Sequence, residues 1–315
     1  MIKLLLIYSY VCKYKQNIVN KSYLWCVNSD TYGENNTYRQ SERPDSGGWR
    51  HARRIHLRRV GQFHGPGHPI SLYDWCQRGC MQRIVVHVGA RGRARYSNID
   101  LLEKYNYIGL KYLLKKRNIM DFDLLFREFP EHILPYDYDA YFSCPERFVM
   151  VTTNCLTGEA DYFEEKKNKE RVIDIVRASS SLPFVCPVAY VDNIPMLDGG
   201  IADSIPLMRA RRDGYDRNVV VLTRNRGYRK DIQGTKVPSF IYKKYPRLRE
   251  AINRRSYVYN EQLELVERLE DAGEIIVIRP QKPIVVDRIE RDISKLTDLY
   301  EEGYACAAAF SFSSV

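Results

Sequence analysis

The sequence predicts an α/β protein with a layered, mostly parallel sheet, and three observations carry that expectation. Two runs, NVVVLT at 218–223 and EIIVIR at 274–279, are continuous and rich in β-branched residues, as strands buried on both faces of a parallel sheet are. Segments with helical spacing of apolar residues stand between and beyond them. Asp192-Asn193 supplies turn chemistry between two extended segments, 188–191 and 194–197.

Taken in order, residues 98–116 show helical spacing, with Leu101, Leu102, Tyr105, Ile108, Leu110, Leu113 and Leu114 on one broad apolar face and Asn98 or Asp100 as cap. A short helix is expected at 122–129, stopped by Pro130, with His132 in an irregular loop beyond it. RFVMVTT at 147–153 reads as a buried strand, 154–159 as a turn and 160–163 as the return strand. Residues 166–179 are helical, with Val172, Ile175 and Val176 facing a core. Further helices are expected at 206–213, 246–255, 260–272 and 286–300, the last with Ile289, Ile293, Leu296 and Leu299 on one face.

Composition divides the chain. Residues 1–95 carry 16 Lys+Arg against 5 Asp+Glu, five of the six His and all three Trp; the remainder carries 33 Lys+Arg against 34 Asp+Glu. The net charge of +10 is therefore a property of the amino-terminal third, with a compositional join near Arg91. Residues 1–42 have no sustained period. Residues 43–90 scatter Gly, Pro, His and Arg without pattern, and only 83–88 resembles a strand. The basic run 50–59 can bind phosphates, but no recognised module surrounds it, and a solvated basic tail is the commoner meaning of such a run. The eight Cys lack a pairing pattern, and Cys76 and Cys80 have no second ligand pair at zinc spacing, so reduced thiols, no metal and an intracellular setting are expected. The apolar stretch at 1–11 is too short to span a bilayer and is followed by no cleavage site for a signal peptide.

The chemistry concentrates in RASSSLPFVCPVAYVDNIPMLDGGIADSIP, residues 177–206. Asp198 ends the second hairpin segment, and Gly199-Gly200 follow; the glycines are expected to take positive φ and to leave the carboxylate exposed at a strand end, where it can serve as a general base. By itself an Asp-Gly-Gly is more often an ordinary turn. Arg224, Arg226, Arg229 and Lys230 form a basic loop at the carboxyl end of a strand, a place where α/β proteins put ligands, and could meet a lipid phosphate; a solvated loop is the plainer reading.

Four blocks in this order, VTTNCLTGEADY, RASSSLPFVCP, MLDGGIADSIP and VVVLTRNRGYRK, resemble the bacterial patatin-like phospholipases, which are serine lipid acyl hydrolases. The resemblance runs from about Arg91 to about Lys230 and continues more weakly to about Tyr304. It implies a three-layer α/β/α fold around a mostly parallel sheet. It implies a Ser–Asp dyad in which a serine in G-x-S-x-G on a strand-to-helix elbow attacks an ester, the aspartate takes its proton directly, and a Gly-rich loop holds the oxyanion. Carried across, Asp198 is the base and Gly199 and Gly200 complete its motif. A lipid or ester substrate, transient contact with a membrane surface, a cytoplasmic location, no cofactor and no nucleic acid follow from the same resemblance.

The serine half does not carry across. The chain contains no G-x-S-x-G, Gly47-Gly48 is the nearest thing to the Gly-rich loop, and Ser179, Ser180 and Ser181 sit downstream of a helix rather than on an elbow. His132 offers no triad from its place in a loop. A reading-frame shift over 43–90 accounts for the gap. Trp49-Arg50 and Trp75-Cys76 each force Gly in the +1 frame and Met81-Gln82 forces Cys. With allowed codons chosen elsewhere, that frame can read a strand, a Gly-rich loop, a helix and a strand ending in G-V-S-A-G, the serine codon straddling Gln77 and Arg78. Three parts are then expected: 1–90, an aberrant, disordered basic segment; 91–230, the carboxyl-terminal part of the patatin-like domain; and 231–315, a helical and strand extension. The expected activity is lipid acyl-ester hydrolysis for the gene, and none for the chain as written. The alternative is a non-catalytic protein whose basic arm binds nucleic acid or anionic membrane.

Overall fold

The protein is described by a computed structural model over residues 95–109, 111–112, 120–144, 147–232, 236–284, 286 and 290–308. The amino-terminal basic segment, the 50–59 run, the 83–88 strand, Gly47-Gly48 and the Gln77-Arg78 position lie outside the described residues.

A π-helical turn, Tyr96–Asp100, leads into α1, Leu101–Tyr105. The helix expected over 98–116 stops there, because Asn106 takes the left-handed conformation (φ 43°) and its N–H closes on the Leu102 carbonyl at 2.8 Å. Neither Asn98 nor Asp100 caps it; Asn98 is buried and donates to the Ser97 hydroxyl. Ile108 then bridges to Met120 in antiparallel fashion. The next helix runs through Pro130: Leu124–Ile133 is wound as a π-helix, and its wider turn accommodates a ring that a tighter helix would reject. His132 lies on that helix rather than in a loop, and is exposed.

α2, Tyr138–Ser143, precedes β1, Met150–Asn154, and β2, Ala160–Phe163. The turn between the strands is closed by Gly158 N–H on the Asn154 carbonyl and Asn154 N–H on the Glu159 carbonyl. α3, Lys169–Ser179, is capped by the Asn168 side chain and buries Val172, Ile175 and Val176, as its spacing predicts. β3, Ala189–Val191, and β4, Ile194–Asp198, form the hairpin, with Asp192 and Asn193 both at positive φ (51° and 63°), the geometry of a tight two-residue turn. After α4, Leu207–Arg212, come β5, Asn218–Val221, then α5, Pro246–Asp271, β6, Ile275–Ile278, and α6, Ile293–Ala308. The two helices expected at 246–255 and 260–272 are one. Ser256 to Tyr259 contain no breaker, and burial of Tyr259 holds the helix through a stretch of weak helix formers.

The sheet expectation needs correcting. The described strands form a four-stranded sheet, β2-β1-β4-β3, in which every pairing is antiparallel, and a separate two-stranded parallel sheet of β5 and β6. Turns of a few residues after β1 and β3 make their hairpins antiparallel, while the long connection through α5 permits the parallel pairing of β5 and β6. The double-faced burial read from the β5 run is present. Val219 and Val221 enter the main core with α3, while Val220 and Leu222 enter a second cluster with Tyr259, Leu263 and Val266 of α5. Among the described residues no helix is long and apolar enough to cross a membrane.

Candidate active site around Asp198

Asp198 is the last residue of β4 and lies opposite Thr152 of β1. It is fully buried, not exposed as the turn chemistry implied. Its backbone is held on both sides: its N–H donates to the Ser181 carbonyl at 2.9 Å, and its carbonyl accepts from the Thr153 hydroxyl at 2.8 Å. That hydroxyl also accepts from Ala202 N–H at 3.2 Å, so one threonine brackets the turn. The carboxylate is aimed by Gly200, whose N–H donates to Oδ1 at 2.8 Å.

The glycines are needed for a different reason from the one the turn chemistry gave. Neither Gly199 nor Gly200 takes positive φ. A Cβ on Gly199 would stand 2.3 Å from the Val151 carbonyl oxygen and 2.5 Å from its carbon, so β1 backbone occupies the place of a side chain. The Gly200 carbonyl accepts from the Ser204 hydroxyl and from Arg255 Nε of α5, both at 2.8 Å. The turn is thereby fixed from the sheet below and from the helix above.

The neighbouring hydroxyls serve the backbone. Ser179 donates to the Val151 carbonyl at 2.7 Å, and Ser181 to the Arg177 carbonyl at 2.8 Å, tying the end of α3 to β1 and to itself. Cys186 is buried close by; burial pushes its thiol up to about 12, and the Asp198 charge adds to the rise. A carboxylate in so dry a setting, with one oxygen held by an N–H, is suited to receive a proton from a hydroxyl delivered to it.

A second carboxylate belongs to the same turn and was not singled out in the sequence. Asp203 accepts from the Tyr162 hydroxyl at 2.5 Å and from Gln262 Nε2 at 2.6 Å, and its own N–H donates to the Gly199 carbonyl. Burial raises its carboxyl above the ordinary range, with the Tyr162 hydrogen bond opposing. Asp203 fastens the segment after Gly200 to β2 and α5. Its partners lie 41 and 59 residues away, so no local pattern marks it, nor does one mark Arg255.

The basic loop is elsewhere. Arg226 Nη2 contacts both oxygens of Asp271 at 2.7 Å, and Arg229 Nη2 meets Glu267 at 2.7 Å, holding that carboxyl below its usual range. Arg224 stacks over Tyr228, and the Lys230 ammonium lies 3.5 Å from the Tyr259 ring centroid. Arg255 and Glu267 are twelve residues apart on α5, about 18 Å of helix rise. The structure therefore does not bring Arg226 or Arg229 to Asp198, and their charges are met by carboxylates.

Residues 72–211 match the family model described as patatin-like phospholipase, and residues 245–312 match a domain of unknown function, DUF6363. The first match takes in three of the four blocks and all of the Asp198 turn, and the resemblance read from them is borne out. It begins at 72 rather than at about Arg91. The chain is also 24% identical over 263 residues to the uncharacterized protein YjjU of Escherichia coli (strain K12), covering 77% of this chain and 69% of that protein. The patatin-like match points to a lipid hydrolase in the coarse sense.

Proposed function

We propose that the protein is built as a lipid acyl-ester hydrolase of the Ser–Asp type, in which Asp198 is the base, and that the chain as written lacks the serine. The observation that carries this reading is the setting of Asp198: buried at a strand end, with Oδ1 held by Gly200 N–H and with backbone packed where a Gly199 side chain would stand. The +1 frame across Gln77 and Arg78 can encode a serine, which would then sit on an elbow. Its Oγ attacks the ester carbonyl while Asp198 takes its proton, and N–H groups of the Gly-rich loop hold the oxyanion. Collapse expels the alcohol, which receives the proton back from Asp198. Water then attacks the acyl-serine, giving its proton to Asp198, and Asp198 returns that proton to the serine oxygen as the acid leaves.

Sequencing the gene over the codons for residues 41–93, and assaying p-nitrophenyl ester hydrolysis by the written and the restored chains, tests this. The restored chain turns over ester, its Asp198→Ala variant loses at least a hundredfold in kcat, within the range that general base catalysis supplies, and the written chain is inactive. Equal turnover with and without Asp198 overturns its assignment. An uninterrupted written frame in the gene, identical in near relatives, overturns the shift.

A further inference from the structure

Two loops hold Phe184 and Phe240 out to solvent, the first under backbone strain and hydrogen-bonded to Tyr242 of the second. Phe184 is 49% exposed and sits at φ 70°, a left-handed conformation that bulky residues rarely adopt. Phe240 is 75% exposed, more than any other large apolar side chain among the described residues. Tyr242, two residues after Phe240, is also left-handed at φ 52°. Its hydroxyl accepts the Phe184 N–H at 2.8 Å, and the two rings lie 5.9 Å apart, so each strained residue holds the other. Tyr190 of β3, 57% exposed, extends the face through its hydrogen bond to Tyr245. Burial would stabilise such side chains, and the strain retained at Phe184 to keep its ring outward points to a purpose at the surface.

The segment that carries Phe240 and Tyr242 is cationic. Residues 236–249 contain Lys236, Lys243, Lys244, Arg247 and Arg249 and no Asp or Glu, in a chain whose residues after 95 otherwise hold 28 bases against 34 acids. Arg247 pairs with Glu250 and Arg249 donates to the Ser239 carbonyl, whereas Lys236, Lys243 and Lys244 are exposed and make no ion pair among the described residues. Exposed aromatic rings amid lysines match the boundary of an anionic bilayer, with rings at headgroup depth and ammonium groups on phosphates.

We propose that this face docks on anionic lipid bilayers, Phe184 and Phe240 entering the headgroup–acyl boundary while Lys236, Lys243 and Lys244 meet lipid phosphates. The loop that carries Phe184 begins at Ser181, whose carbonyl accepts the Asp198 N–H, and ends past Cys186, whose thiol feels the Asp198 charge. Docking therefore places the bilayer against the cover of the buried carboxylate. The proposal stands apart from the hydrolase reading, because a chain without its nucleophile docks as well as a complete one.

The test is cosedimentation of the full chain with phosphatidylcholine vesicles, with and without phosphatidylglycerol, at ~0.1 M salt. The parent binds the anionic vesicles more tightly. Phe184→Gly with Phe240→Ser weakens that binding by at least about a hundredfold, as losing two inserted rings requires. Lys236→Glu with Lys243→Glu and Lys244→Glu abolishes the preference for anionic vesicles. Met208→Ser, which removes an exposed apolar side chain elsewhere, changes nothing. Glycine suits φ 70°, so the first variant keeps its fold; far-ultraviolet circular dichroism checks this, and the lysine variant carries the test should it not. Variants that bind as the parent does, as they would if residues 1–95 supplied the contact, overturn the proposal. So does a parent that binds no vesicle, or one that prefers duplex DNA through the same lysines.

Discussion

The two sheets place a charged segment at the end of a strand in opposite ways. At the end of β4 in the antiparallel sheet, the backbone is locked by Thr153, Ser181, Ser204 and Arg255, and the carboxylate of Asp198 is buried in the middle of the lock. Beyond β5 in the parallel sheet, Arg226 and Arg229 reach outward and are neutralised by Asp271 and Glu267 on α5. The first arrangement spends backbone hydrogen bonds on aiming one group. The second joins side chains to side chains at the surface, where exposure and solvent screening leave each pair little energy. The difference separates a buried, aimed carboxylate from a surface fastening.

Substitutions can break that comparison. Gly199→Ala strikes the lock hardest: a methyl 2.3 Å from the Val151 oxygen forces β1 and β4 apart, with an expected loss of about 3 kcal/mol in urea unfolding. A smaller cost, about 1–3 kcal/mol by the same measurement, is expected for Thr153→Val, which keeps the shape but leaves the Asp198 carbonyl and Ala202 N–H without their shared partner. Arg229→Ala belongs to the fastening and is expected to cost under about 1 kcal/mol, since Arg229 is one-third exposed. If Arg229→Ala proved as costly as Thr153→Val, the distinction between the two strand ends would fail.

Acid titration sharpens the same contrast. The Arg229 hydrogen bond holds Glu267 below its ordinary value of 4.5, so the pair contributes stability above that pH and loses it as pH falls through the lowered value. Asp203 runs the other way. Its carboxyl is raised by burial, so its protonated form is the one the fold favours, and its contribution is greatest below the ordinary carboxylate value and lost as pH rises through the raised one. In thermal melts, the stability of Glu267→Gln relative to the parent should therefore fall as pH rises from acid to neutrality, while that of Asp203→Asn relative to the parent should rise over the same interval. Parallel curves for both variants would refute this assignment of signs.

Local chemistry was legible in the sequence where the cause was local. Asp192-Asn193 has the residues a two-residue turn needs, and the β5 run shows its two-sided burial in its own composition. The parallel character of the larger sheet was inferred from alternation of elements, and the short connections after β1 and β3 overrule it. Asn106 ends a helix that the spacing would have continued, because a left-handed cap depends on one residue and not on a period. The Asp-Gly-Gly was found for its chemistry, but the need for Gly199 comes from Val151 on another strand. Arg255 and Asp203 bind across long stretches of chain and leave no pattern to read.

The unbroken α5 has a consequence for how the molecule transmits force. Helix dihedrals offer no soft joint between Pro246 and Asp271, so the segment behaves as a strut about 39 Å long. The lysines at 243 and 244 stand at its foot, Arg255 grips the Gly200 carbonyl partway along it, and Glu267 anchors the basic loop near its head. A load applied at the foot cannot be absorbed locally; it reaches the turn that aims Asp198 as a displacement of the whole rod.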